Sequence, residues 1–146
     1  NLIVSQTFSK AYGLAAARVG VGYASTELIS LFNRIKPPYN VSALNQDAAK
    51  LCLLDEESFQ KNLGLIKSEK LKLENAFQEI AIITKIYPSD ANFILIELIN
   101  ATEIYQSLIE QKIITRNRST LITNTIRVTV GSPEENQTLI NALKTI

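Results

Sequence analysis

One stretch of regular helical periodicity sets the main constraint on the fold. Between residues 59 and 80, apolar side chains recur at steps of three, four or seven, at Phe59, Leu63, Ile66, Leu73, Phe77 and Ile80. This spacing predicts an amphipathic helix with one apolar face. Two short apolar runs follow at residues 82–87 and 92–98, and each predicts a strand. The chain therefore mixes helices with strands, as is typical of the α/β class.

The other elements follow from capping and turn residues. A helix that begins after Ser25 ends at Pro37, and Asn100 with Glu103 forms a capping-box pattern. Residues 132–135, Ser-Pro-Glu-Glu, give a strong start for a last helix. The predicted order is two strands (1–4 and 19–23), three helices (26–35, around 43–50, and 59–80), two strands (82–87 and 92–98), a helix (100–111), two strands (113–116 and 125–130) and a final helix from residue 133.

Turn-forming residues between 37 and 55 predict a domain boundary. We expect residues 1–45 to be the end of a larger domain and residues 46–146 to be a complete small α/β domain. The chain begins at Asn1, within an extended apolar stretch, and it contains no methionine. We therefore expect it to be part of a longer protein that begins elsewhere.

Composition excludes several classes of function. A hydrophobic fraction of 46% and a charged fraction of 20% are typical of a globular domain. A net charge of +1 gives no basic surface for nucleic acid or an anionic membrane. The absence of histidine and the single cysteine, Cys52, argue against a zinc site and against Ser-His or Cys-His catalysis. For the same reason we expect a protein without metal. No apolar run is as long as a membrane span, so we expect the protein to be cytoplasmic.

The segment from Thr7 to Arg18 carries the clearest candidate chemistry. Lys10 follows two hydroxyl residues, Thr7 and Ser9, and Arg18 comes eight positions after it. A primary amine on a flexible stem can form a Schiff base with an aldehyde. Hydroxyls and a guanidinium can bind a phosphate through charge-assisted hydrogen bonds. The segment therefore offers what a phosphorylated aldehyde cofactor requires, although the spacing alone also fits a solvated loop.

The block from Thr7 to Gly20 resembles the lysine motif of the fold-type-I pyridoxal-5′-phosphate (PLP) dependent enzymes, the aspartate aminotransferase superfamily. The resemblance implies that Lys10 is the catalytic lysine that holds PLP. It implies that Arg18 and Thr7 bind the cofactor phosphate, with Ser9 as a second candidate hydroxyl. The block departs from the pattern at Ala16, where the histidinol-phosphate group of this family commonly has glycine.

Three further stretches, residues 33–41, 87–93 and 126–136, are similar to the histidinol-phosphate aminotransferases, in that family's order. The resemblance implies the C-terminal portion of an enzyme of histidine biosynthesis that transfers an amino group from histidinol phosphate to 2-oxoglutarate. The products are imidazole acetol phosphate and glutamate. It also implies a homodimer with sites at the subunit interface. Because this family's other cofactor-binding groups come earlier in the chain, we expect the 146 residues alone to bind PLP weakly and to be inactive.

Two arginines are candidates for binding the substrate. Arg127 lies in an otherwise apolar predicted strand, where an unpaired charge is costly to bury. It either points to water from an edge strand or binds an anion. By resemblance Arg127 matches the family's arginine for the anionic group of the substrate, which in histidinol phosphate is the phosphate. Arg116 matches a second phosphate-binding arginine, and Arg118 is interpreted as a surface neighbour.

Several other side chains are interpreted as structural. Tyr12 is expected to pack beside the turn after Lys10, and Cys52 is expected to be a small buried apolar residue. Alternating charges in the long helix predict a solvated helix face. Those charged residues are Lys67, Glu69, Lys70, Lys72 and Glu74.

Two alternatives stay open. A related fold-type-I enzyme, such as an aromatic aminotransferase or a threonine-phosphate decarboxylase, would share the Lys10 block. A non-catalytic α/β interaction domain would leave Lys10 and Arg18 as ordinary surface residues. The link at residues 36–40 favours the histidinol-phosphate group. The encoding frame upstream of Asn1 would distinguish an enzyme portion from a free-standing domain.

Overall fold

A computed structural model describes all 146 residues, which form two compact units, Asn1–Asn62 and Leu63–Ile146. The elements are β1 (Val4–Thr7), β2 (Gly20–Tyr23), α1 (Thr26–Ile35), α2 (Ala43–Leu54), α3 (Glu56–Gln78), β3 (Ile83–Tyr87), β4 (Phe93–Leu98), α4 (Ala101–Glu110), β5 (Arg116–Asn117), β6 (Thr125–Thr129) and α5 (Pro133–Thr145). Their order and types confirm the prediction of a mixed α/β chain. The domain division at residue 45 stays a prediction. None of the helices combines the length and the apolar character needed to cross a membrane.

The helix caps follow the sequence signals with one exception. The Ser132 hydroxyl accepts a hydrogen bond from the Glu135 backbone at 3.2 Å, and the Glu135 carboxylate accepts one from the Ser132 backbone at 2.8 Å. This reciprocal pair confirms the capping box of α5. Asn100 precedes α4, but its side chain makes no capping bond, so the capping box predicted there is wrong.

Two strands differ in extent from the apolar runs that predicted them. β1 begins at Val4 instead of residue 1, and β5 is limited to Arg116 and Asn117. In each case the neighbouring strand decides the extent, because a ladder exists only where hydrogen bonds are shared. Thr7 pairs with Gly20 at the end of the β1–β2 ladder, and a Cβ on Gly20 would come within 3.0 Å of the Gln6 carbonyl oxygen.

The second unit is built on a four-stranded antiparallel sheet in the order β3-β4-β6-β5. Alternate residues of β4 and β6 point into the core, where Ile94, Ile96, Ile126 and Val128 are at most 1% exposed. Helices α3, α4 and α5 supply the rest of this core. Their most deeply buried members are Leu73, Phe77, Ala101, Leu108 and Leu143. The opposite face of the sheet is therefore available for polar side chains.

The charged face predicted for the long helix is wrong at Glu69. Its side chain is only 2% exposed and accepts hydrogen bonds from Asn136 Nδ2 at 3.0 Å and from Lys72 Nζ at 2.6 Å. Asn136 also bonds both the backbone N–H and the carbonyl of Gly131, at 2.9 and 3.1 Å. Because α5 covers this part of α3, a residue that periodicity assigns to solvent becomes a buried link to the turn between β6 and α5.

We expect this link to make the stability of the chain depend on pH. The hydrogen bonds from Lys72 and Asn136 hold the pKa of Glu69 below its ordinary value of 4.5. A carboxyl group with a lowered folded-state pKa stabilises the fold above its unfolded pKa, and this contribution is lost as pH falls through the folded pKa. Glu69→Gln should therefore be less stable than the parent at pH 7, and the difference should narrow below pH 4.5.

Denaturant midpoints measured at several pH values check this prediction. Glu79→Gln is the matched control, because Glu79 is exposed and directly follows the last residue of the same helix. A stability difference for Glu69→Gln that stays constant from neutral to acid pH would contradict the assignment.

Candidate functional site

Lys10 lies in the loop that joins β1 to β2. The backbone N–H of Gly13 donates to the Lys10 carbonyl at 2.9 Å, which closes a β-turn over residues 10–13. Gly13 has a φ of +67°, a left-handed conformation that favours glycine. The Lys10 side chain is exposed. The amine is therefore presented from a closed turn and is accessible to a ligand.

The two predicted hydroxyls meet just before Lys10. The Thr7 hydroxyl donates to the Ser9 hydroxyl at 2.9 Å, and it accepts from the Ser9 backbone N–H at 3.1 Å. Both side chains can therefore offer donors to one ligand oxygen after a small rotation. The structure brings these two hydroxyls together, and their phosphate-binding role stays a prediction.

Arg18 lies at the other end of the same loop. It has a φ of +54°, and its Nη1 donates to the Ala15 carbonyl at 2.9 Å. The loop ends are joined by a hydrogen bond from the Phe8 backbone N–H to the Val19 carbonyl at 3.2 Å. The remaining guanidinium donors of Arg18 form no hydrogen bond or ion pair in the structure, which leaves them available to an anion.

The charge of this loop suits an anionic ligand. Lys10 and Arg18 are its two cations, and the first acidic residue of the chain is Glu27. Neither cation has a carboxylate within 4.0 Å, whereas the recorded ion pairs all involve other lysines. An exposed amine, two neighbouring hydroxyls and a guanidinium on one loop fit a phosphorylated aldehyde such as PLP.

Arg127 lies in the second unit, on the sheet face opposite the core. Its strand β6 is flanked by β4 and β5, so the edge-strand interpretation is wrong. The guanidinium carbon is 4.7 Å from the centroid of the Phe93 ring, a cation–π contact. The Arg127 Nε atom is buried and has no hydrogen-bond partner. This arginine is thus partly desolvated without a compensating carboxylate.

Two further arginines surround Arg127. Arg116 is its direct cross-strand partner, and the half-buried Arg118 donates its backbone N–H to the Thr125 carbonyl at 2.9 Å. Burial, followed by the positive charges of Arg116 and Arg118, lowers the pKa of Arg127. Like charges directly opposite each other destabilise a sheet, so this pair of arginines does not stabilise the pairing of β5 with β6. None of these three arginines forms an ion pair with an acidic side chain.

The acid on this face of β4 is engaged elsewhere. Tyr87 donates its hydroxyl to Glu97 Oε2 at 3.0 Å, and this bond raises the pKa of Tyr87, with burial adding to the effect. Lys85 lies 4.5 Å above the Tyr87 ring. Glu97 forms no ion pair with Arg127.

A cavity of about 510 Å³ lies elsewhere in the second unit. It is bounded by the end of β6, the first turns of α5 and the segment before β5, with Ile113, Val128 and Leu139 among its walls. None of the predicted site residues lines it. The candidate groups of each unit are therefore its charged side chains described above, and not the lining of this cavity.

Comparison with known proteins identifies the family. The family model for aminotransferase class I and II matches residues 1–143. Histidinol-phosphate aminotransferase of Flavobacterium psychrophilum is 45% identical over 148 residues, an alignment that covers 100% of this chain and 42% of that protein. The chain thus spans less than half the length of this relative.

Two solved structures have the same fold over almost the whole chain. Histidinol-phosphate aminotransferase from Clostridium acetobutylicum matches with a TM-score of 0.89 at 24% identity, covering 99% of this chain and 45% of that one. L-threonine-O-3-phosphate decarboxylase from Porphyromonas gingivalis matches with a TM-score of 0.84 at 26% identity, covering 99% and 46%. With the family model matched from the first residue almost to the last, this chain belongs to the class I and II aminotransferases.

Proposed function

We propose that this chain is part of a PLP-dependent aminotransferase that acts on histidinol phosphate, with Lys10 holding the cofactor. The observation that carries the proposal is the loop between β1 and β2. An exposed amine, two hydroxyls and a guanidinium lie between Thr7, the last residue of β1, and Arg18, a segment without an acidic residue. Membership of the aminotransferase family and the 45% identity to a histidinol-phosphate aminotransferase support the same conclusion.

Lys10 has two tasks in this proposal. Its ε-amine would hold PLP through the aldehyde carbon of the cofactor, since a primary amine can condense with an aldehyde with loss of water. When not attached to the cofactor, the same amine would act as the base that takes the proton from the substrate carbon bearing the nitrogen, and as the acid that gives this proton back. PLP, when bound, supplies a conjugated ring that stabilises the electron pair left by this proton.

Thr7, Ser9 and Arg18 would hold the cofactor phosphate. The hydroxyls of Thr7 and Ser9 are within 2.9 Å of each other and can donate to neighbouring phosphate oxygens. Arg18 offers the guanidinium donors that the Ala15 carbonyl leaves free. Charge-assisted bonds of this kind are stronger than neutral ones, so they can fix the cofactor while its attachment to Lys10 is broken.

Arg127 and Arg116 would bind the phosphate of the substrate. The planar guanidinium of Arg127 lies against Phe93, which leaves its edge for a bidentate contact with oxygen atoms. A phosphate of two negative charges would relieve the repulsion between Arg127 and Arg116. In the second half of the reaction the same arginines would receive a carboxylate of 2-oxoglutarate.

The alternative enzymes are less well supported. A threonine-phosphate decarboxylase would also use Lys10 and a phosphate-binding Arg127, and a solved decarboxylase shares the fold at 26% identity. The higher identity to a histidinol-phosphate aminotransferase favours transamination. Family membership favours either enzyme over a non-catalytic interaction domain.

The complete protein is expected to be a cytoplasmic homodimer. The chain covers 42% of its histidinol-phosphate aminotransferase relative, so the remaining cofactor contacts would come from outside the matched region. We therefore expect the 146 residues alone to bind PLP weakly and not to transaminate. The functional experiments below use the product of the whole reading frame that contains this chain, called the full-length protein.

A substrate panel tests the proposed function. The full-length protein with PLP and 2-oxoglutarate is given histidinol phosphate, phenylalanine, tyrosine or threonine phosphate, and the release of glutamate and of carbon dioxide is measured. We expect kcat/KM for histidinol phosphate to exceed that for the aromatic amino acids by at least about 10²-fold, since those lack the phosphate. Carbon dioxide from threonine phosphate, or equal turnover of phenylalanine, would overturn the assignment.

A further inference from the structure

We propose that Tyr12 is a positioning residue for Lys10. Its ring packs against the rings of Phe8 and Phe59, and this packing fixes the turn from which the Lys10 side chain extends. The inference rests on the proposed role of Lys10 as the residue that holds PLP. It adds a residue that touches neither cofactor nor substrate and acts through the backbone of the turn.

Three aromatic rings meet in the first unit. The Tyr12 ring stacks on the Phe59 ring with a centroid distance of 4.4 Å and an interplanar angle of 18°. The Tyr12 ring also contacts the Phe8 ring, with a centroid distance of 5.0 Å and an interplanar angle of 50°. Phe8 is only 5% exposed, so its ring is a buried support for the Tyr12 ring. Offset and tilted pairs at these distances are favourable beyond the apolar area that they bury.

The backbone around Lys10 is tied to the same group. Phe8 and Tyr12 lie two residues before and two residues after Lys10, so the rings hold both sides of it. The Leu14 backbone N–H donates to the Phe8 carbonyl at 3.0 Å, which closes the loop outside the turn. The Cys52 thiol donates to the Tyr12 carbonyl at 3.5 Å, so α2 also contacts the turn.

The amine of Lys10 can therefore move, whereas the backbone of the turn that carries it is fixed. Only the four methylene groups of Lys10 remain free to rotate, which lets the amine reach a carbon and then withdraw as a base. A turn without the aromatic contacts would have to be ordered each time the cofactor is attached, and ordering costs conformational entropy. Support of a reactive side chain by packing on rigid elements reduces that cost.

Three variants of the full-length protein test the inference. Tyr12→Ala removes the ring, Tyr12→Phe keeps both ring contacts without the hydroxyl, and Tyr39→Ala changes a tyrosine of the same unit that is 98% exposed. The first readout is amide hydrogen exchange of residues 8–14 in protein freed of PLP. The second is the dissociation constant of PLP, followed by the visible absorbance of the lysine-bound cofactor.

We expect Tyr12→Ala to speed exchange of residues 8–14 roughly tenfold and to weaken PLP binding by a similar factor, because two aromatic pairs are lost. Tyr12→Phe should restore both values to within about twofold, and Tyr39→Ala should match the parent. Tyr12→Leu, which keeps an apolar side chain, replaces the alanine variant if that variant does not fold.

Each contrary outcome has a distinct meaning. Unchanged exchange in Tyr12→Ala and Tyr12→Leu would overturn the claim that the rings fix the turn. Faster exchange with unchanged PLP binding would make Tyr12 merely structural and would overturn the positioning role. If the parent protein shows no absorbance from lysine-bound PLP, the proposed function itself fails, and the exchange data still report whether the rings order the turn.

Discussion

Replacing Lys10 with alanine should lower kcat/KM of the full-length protein for histidinol phosphate by about 10⁴-fold or more. A positioned acid–base group alone contributes about 10² to 10⁴-fold, and Lys10 also supplies the covalent attachment of the cofactor. The visible absorbance of lysine-bound PLP should vanish in the same variant. Glutamate release and the absorbance spectrum measure the two effects.

Two further variants make this prediction specific to the amine. Lys10→Arg keeps the positive charge in the exposed turn, but its guanidinium cannot replace the amine in the attachment. It should therefore be as inactive as Lys10→Ala. Lys36→Ala removes another exposed lysine of the same unit and should leave activity unchanged. Substantial turnover by Lys10→Arg, or an unaltered spectrum in Lys10→Ala, would refute the role of Lys10.

Arg127→Leu should raise KM for histidinol phosphate by about 10²-fold, with a smaller change in kcat. Removing one partner of a buried, hydrogen-bonded charge pair costs about 2–5 kcal/mol, and each 1.4 kcal/mol is a factor of ten. Arg127→Lys should recover only part of this loss, because an ammonium lacks the planar fork that binds two oxygen atoms. Steady-state kinetics over a range of substrate concentrations give both constants.

The midpoint of unfolding of Arg127→Leu distinguishes a binding role of Arg127 from a structural role. The Arg127 Nε atom has no partner, and Arg116 lies directly opposite, so leucine should leave the midpoint of unfolding unchanged or raise it. Arg34→Leu, at an exposed position of α1, is the control for loss of a positive charge. A less stable Arg127→Leu protein with an unchanged KM would contradict the proposed anion site.

Helices could be predicted from the sequence where capping residues near their ends determine them. Ser25 caps α1 through the Leu28 backbone N–H, and the Ser132 and Glu135 pair begins α5. Glu69 shows where this approach fails, since its burial depends on Asn136, a residue 67 positions away. Periodicity assigns faces to a helix in isolation. It does not reveal which second helix covers a polar position.

The residues of the candidate site also divide into those that a local sequence signal reveals and those that it does not. Lys10 and Arg18 were found through a family motif that is local in sequence. The contact of Tyr12 with Phe59 had no such signal, because the two residues are far apart in the chain. The cross-strand pairing of Arg127 with a second arginine depends on the register of β5 and β6, which capping and periodicity do not specify.

The most direct test of the account is to locate the lysine that holds PLP. The full-length protein is incubated with PLP, reduced with borohydride to make the attachment permanent, digested and mapped by peptide mass spectrometry. The account predicts that the modified peptide contains Lys10 and that the modification is on its ε-amine. Modification at a different lysine, or none above the background of a PLP-free sample, would contradict it.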